Sequence, residues 1–138
     1  MDWLATPTAW LGPLFFLVLG VMTGEAAHAD LPVSGRLPRG VGYGLLLYLA
    51  NTVHSVGHIL AGKLAGAPMN ANLLTATRDV NLYLGERARV SQAVRAARAL
   101  GGPLANLAMG AGLWLVGSAV GWGWLEIGGL MSLGVAFW

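Results

Sequence analysis

Residues 41–65 read VGYGLLLYLANTVHSVGHILAGKLA, a stretch whose one formal charge is Lys63, near its end. A helix of about 20 apolar residues crosses the roughly 30 Å hydrocarbon of a bilayer, so this stretch is long enough to span. It nevertheless carries His54 and His58. Ionisable groups inside a span are expensive and usually face a protein interior. At i and i+4 the two imidazoles lie on one helix face, about 6 Å apart at Cβ. Such a pair can hydrogen-bond a neighbouring helix, or it can grip a metal ion or cofactor from one face. Spacing alone leaves both uses open.

Composition extends the membrane reading to the whole chain. Of 138 residues 56% are apolar and 10% charged, and the mean hydropathy is +0.63. An ordinary soluble domain carries about 25% charged residues. The net charge is +2 and the arginines lie beside apolar segments, which suits topology and lipid headgroups, not nucleic acid. Cysteine is absent, so disulfides, iron–sulfur clusters and thiol chemistry are excluded.

Working outward, four apolar segments predict an all-α membrane protein, a single integral-membrane domain over 1–138. Its spans fall at about 4–24, 41–65, 100–120 and 122–138. The first could imitate a signal peptide, with Ala27-His28-Ala29 as a small-residue site. Its only early charge is Asp2, and it is expected to be retained as a span. Trp3 and Trp10 suit an interface. Residues 25–40, with Pro32, Pro38 and charges that cancel, read as a loop.

The connection 66–98 alternates Leu74, Ala76, Val80 and Leu82 with Thr75, Thr77, Asp79 and Asn81, predicting a short β-hairpin turning near Arg78-Asp79. Helical spacing follows over Glu86 to Leu100 and predicts an amphipathic interfacial helix. The fourth span is short and carries Glu126. Gly110, Gly117, Gly121, Gly128 and Gly129 permit close helix packing. Residues 63–98 hold six basic and two acidic side chains, a net +4. The positive-inside rule makes this segment cytoplasmic and, with four spans, both termini too.

His54-Ser55-Val56-Gly57-His58, the strand-like loop, and Gly102-Pro103-Leu104-Ala105-Asn106 occur in an order that resembles the site-2 protease family of intramembrane zinc metalloproteases. That family has an H-E-x-G-H helix, a membrane-associated β-rich loop and a second core helix opening with G-P-x-x-N. The resemblance covers roughly residues 45–120. It implies a cytoplasmic loop, zinc held by His54 and His58, and Asn106 near the active-site cleft. Two departures go with it. Ser55 stands where the family has the glutamate that activates zinc-bound water, and a hydroxyl cannot act as that base. The family's third ligand, an aspartate in a D-G motif, has no counterpart, since the aspartates are at 2, 30 and 79. Glu126 is the only late carboxylate and lacks the surrounding motif.

The expected reading is a degenerate, truncated and catalytically inactive relative. It would serve as a scaffold or accessory subunit among other integral membrane subunits and lipids, in a bacterial cytoplasmic membrane, with no nucleic-acid partner. His54, Ser55, His58 and Asn106 then form a degenerate motif with no catalytic residue and no resident cofactor. Two alternatives stand beside it. One is a subunit of a bioenergetic or photosynthetic complex, with haem or a chlorophyll-type pigment on His54 or His58 and His28 acting at the surface. The other is a zinc metallopeptidase completed by another chain.

Overall fold

A computed structural model describes residues 2–83 and 90–137. In chain order the elements are β1 (Asp2–Ala5), α1 (Leu11–Ala27), α2 (Val33–Leu64), β2 (Ala71–Leu74), β3 (Asp79–Leu82), α3 (Gln92–Val120) and α4 (Gly123–Val135). The molecule is mostly helical, with one small sheet in the order β1-β2-β3. Two helices, α2 and α3, are long and apolar enough to cross a membrane by length and composition; α1 is apolar but shorter.

Glycine contacts set the helix packing. A Cβ on Gly20 would strike the backbone of Gly44, and one on Gly24 would strike that of Gly40. Two G-x-x-x-G repeats therefore face each other in opposite order, which runs α1 and α2 antiparallel at close range. Gly57 meets Gly101 between α2 and α3, and Gly110 meets Gly129 between α3 and α4. α4 returns alongside α2, with Trp124 over Gly42 and Leu46 against Gly128. The result is an up-down-up-down bundle with α2 touching all three other helices.

The interior is rich in small and polar residues around a few large ones such as Phe16, Tyr43 and Leu47, and many large apolar side chains lie outside. Buried helix positions among the described residues include twelve glycines, Asn51, Ser55, Asn106 and Ser132. Asn106 is 0% exposed, whereas Leu45, Leu60 and Leu115 are 64%, 53% and 60% exposed.

Several boundaries differ from those the sequence predicts. Residues 2–5 form a strand, and the first helix starts only at Leu11. β1 lies parallel to β2, with Asp2 opposite Ala71, a long-range pairing that apolar composition hides. The expected 25–40 loop is mostly helix, since 25–27 end α1 and 33–40 begin α2: Pro32 is the extended N-cap of α2 and Pro38 sits inside it. Pro32 sacrifices little, since the first N–H groups lack partners anyway, whereas Pro38 in the second turn forfeits the N–H that would bond Ser34 C=O. Arg36 and Glu25 pair at 3.1 Å and hold the end of α1 to the start of α2.

The predicted hairpin forms, but its turn falls at Ala76-Thr77, two residues early. Leu74 pairs with Asp79, and the Thr75 hydroxyl accepts the Arg78 N–H at 3.2 Å. The expected amphipathic helix lies partly outside the described residues (84–89). Its remainder is the start of α3, capped by Ser91, whose hydroxyl accepts the Val94 N–H, and it continues without a break into the third apolar segment. α4 has 13 residues, about 20 Å of helix.

Among the described residues the two with positive φ, Gly66 and Gly121, each end a long helix. After Gly66, Ala67 N–H reaches back to Gly62 C=O at 2.9 Å; after Gly121, Trp122 N–H reaches Gly117 C=O at 2.8 Å. The helix order puts the start of α1, the end of α2, the start of α3 and the end of α4 at one end of the bundle. The sheet is there as well, over the histidines.

Candidate functional site

α2 presents Asn51, His54, Ser55 and His58 toward α3 and the sheet. The imidazoles meet edge to face, with Nε2 of His54 and Nε2 of His58 2.9 Å apart. His58 Nδ1 lies 2.6 Å from the Arg98 carbonyl oxygen, so Nδ1 carries the proton and donates it there. His58 Nε2 is then an acceptor, His54 Nε2–H donates to it, and His54 Nδ1 accepts from Asn106 Nδ2–H at 3.4 Å. One directed chain runs Asn106 to His54 to His58 to the α3 backbone.

The far end of that chain enters α3 at a weak point. Arg98 C=O and Gly102 N–H are i and i+4 partners along α3, and His58 Nδ1 sits against both, 3.3 Å from the Gly102 nitrogen. The shorter contact decides the donor, so the Arg98 carbonyl is the partner. Pro103, one residue on, has no N–H to offer. Gly102 is needed here for clearance: a Cβ would collide with Nε2 of both histidines. Arg98 itself is buried and donates through Nε and Nη2 to Ala67 C=O at 3.0 and 2.7 Å, with its guanidinium 3.8 Å over the Tyr83 ring.

The sheet closes the site from the other side. Because Leu74 opposes Asp79, the face that carries Asp79 also carries Asn81 and Asn72. A cavity of about 330 Å³ is lined by Asn51, His54, Ser55, His58, Arg78, Asp79, Val80, Asn81 and Val135. Ser55 and Asn51 face the Asp79 carboxyl across this cavity as hydrogen-bond donors to its charged form. Burial pushes that carboxyl above its ordinary range, and those two donors oppose the shift. Oδ1 of Asn81, Oδ1 of Asn106 and both ends of the Asn72 amide are buried without a partner among the described residues.

The structure therefore joins all four residues of the degenerate motif, His54, Ser55, His58 and Asn106, and adds Asp79, Asn51, Asn81 and Arg78, which motif reading missed. One signal could have found Asp79: it is an acid inside an alternating segment of a chain with few charges. His28 lies elsewhere, at the end of α1, its Nε2 2.8 Å from the hydroxyl of the buried Tyr43. Glu126 is also remote, in the first turn of α4, and accepts the Ser118 hydroxyl at 2.9 Å.

As a metal site the arrangement is partial. The two Nε2 atoms converge as two ligands of one ion would, but among the described residues no three His, Cys, Asp or Glu side chains gather as a metal-holding group. Zinc takes four ligands, so the described donor set does not fit a closed or catalytic zinc centre. An axial bond to a haem or pigment would require the imidazoles to separate, since each Nε2 faces the other and the Gly102 backbone.

No family model, no curated protein and no solved structure matches the chain.

Proposed function

We propose that this chain is a catalytically inactive, site-2-protease-like integral membrane protein that serves as a scaffold or accessory subunit of a larger membrane assembly. One observation carries the reading: the histidine pair is used up as an interhelix link, closed from Asn106 through both rings to the Arg98 carbonyl. Ser55, where a protease of this kind needs a general base, instead faces the Asp79 carboxyl across the cavity.

The inside-out distribution of residues supports bilayer placement, because large apolar side chains face outward over a glycine-rich and polar interior. The joining of β1 to β2 supports the predicted sidedness, since it requires the amino-terminal segment and the basic loop to share one side. By the positive-inside rule that side is cytoplasmic. α4, at about 20 Å, is shorter than the hydrocarbon and is better accommodated beside a partner than alone in lipid.

The test is a melting curve of the purified chain with and without a strong chelator, alongside His58→Ala. Chelator is expected to leave the melting temperature unchanged, while His58→Ala lowers stability by about 2–4 kcal/mol through the lost link and cavity. Stoichiometric zinc with chelator-sensitive melting would overturn the reading.

A second reading, a zinc peptidase completed by another chain, has one observation in its favour. Turning the Asn106 amide would bring its unpartnered Oδ1 onto a protonated His54 Nδ1 and free both Nε2 lone pairs. Equal zinc content in the wild type and His54→Ala would end it.

A further inference from the structure

Beside the polar chamber lies a second cavity of about 340 Å³, walled by Phe15, Phe16, Leu19, Leu47, Met131 and Gly134. The two cavities have Asn51 and Val135 in common, so they adjoin across that pair. Their order along the bundle axis is defined: the apolar cavity lies deeper, between α1, α2 and α4, and the polar one lies toward the sheet. At the polar end Arg78 is exposed, and its guanidinium makes no hydrogen bond or ion pair among the described residues. Its sequence neighbour Asp79 forms no ion pair with it; among the described residues the ion pair present is Arg36–Glu25. Asn81 Oδ1, buried in the same chamber wall, has no donor among the described residues.

We propose that the paired cavities bind one single-chain anionic amphiphile, with its acyl chain between α1, α2 and α4 and its anionic head at Arg78. An apolar compartment with a few placed polar groups at one end is the usual form of a small-molecule site. The free guanidinium selects a carboxylate or phosphate through a charge-assisted hydrogen bond, and a head hydroxyl would satisfy Asn81 Oδ1. The carboxylate of a fatty acid and the phosphate of a lysophospholipid offer this same chemistry. The proposal rests on the bilayer placement argued above but not on the loss of catalysis. Resistance of the membrane-bound chain to extraction by high salt and alkali tests that placement separately.

The experiment is native mass spectrometry of the full chain in mild detergent, titrated in parallel with oleate, oleoyl-lysophosphatidylglycerol and uncharged monoolein. A single adduct is expected, with an anionic amphiphile favoured over monoolein by about tenfold, the worth of one charge-assisted hydrogen bond. Which of the two anionic probes binds more tightly identifies the head. Arg78→Gln should bring the preference to within about twofold, since an uncharged side chain loses that term. Gly134→Phe should abolish the adduct: Gly134 lines the apolar cavity, and no described atom lies within 4 Å of a Cβ built there. Met131→Trp fills the same cavity from the neighbouring turn and serves where Gly134→Phe folds poorly. Equal binding of oleate and monoolein by the wild type, an undiminished preference in Arg78→Gln, or an adduct retained in a folded cavity-filling variant overturns the proposal.

Discussion

His54 and His58 illustrate how little a two-residue spacing says by itself. A helix of any function places i and i+4 side chains together, and the rings meet here with Nε2 atoms 2.9 Å apart. What decides their role is the third and fourth partners, Asn106 and the Arg98 carbonyl, which fix the tautomers in one direction. Asp79 is the residue whose pH behaviour is open to test, since it lies on β3, in the loop between the two long helices. Burial raises its folded pKa above the ordinary 3.8. For an acid shifted upward, the stability contribution is fully present below the unfolded value and is lost as pH rises through the folded one. The wild type should therefore lose melting temperature from about pH 4 upward. Asp79→Asn keeps a polar partner for Ser55 and Asn51 without the charge. Its melting temperature should exceed that of wild type at pH 7, and its pH profile should be flatter. Differential scanning fluorimetry across pH 4–8 reads both; a profile as steep as wild type would show that Asp79 is not the titrating group.

At the scale of elements, the glycines matter through the distance they permit. In a bilayer there is little hydrophobic drive between helices, so association depends on close packing and interhelical hydrogen bonds. Gly44 faces the backbone of Leu17 and Phe16 across the α1–α2 contact, whereas Gly112 on α3 has no atom within 4 Å of a would-be Cβ. Gly44→Ala should destabilise by about 1–3 kcal/mol through overpacking. Gly112→Ala should be neutral or stabilising by up to about 1 kcal/mol, since alanine is the better helix former. Thermal or denaturant unfolding in one detergent compares them directly, and equal effects of the two substitutions would contradict the packing described. The hairpin obeys the same logic of local chemistry: Thr75 fixes the turn through its hydroxyl, and that register, not the alternation alone, turns Asp79 and Asn81 toward the histidines.

For the whole molecule, sidedness gives the sharpest expectation. The chain contains no cysteine, so single cysteines report cleanly. Thr8→Cys and Thr77→Cys, beside the sheet, should label from the same side of sealed vesicles, and Trp122→Cys, at the α3–α4 turn, from the other. Labelling of Thr8→Cys and Trp122→Cys from one side would rule out the four-helix crossing proposed here. The sequence by itself determined the helical character, the approximate segments, the presence of the hairpin and the identity of the motif residues. Those properties follow from apolar run length, two-residue alternation and fixed spacing, all local along the chain. Only the tertiary structure decided that residues 2–5 join the sheet, that α3 runs unbroken from Gln92, and that Asp79 meets Ser55 and Asn51 over the histidine pair. These are contacts between residues far apart in sequence, and they arise from helix approach distances and strand register, which no local pattern encodes.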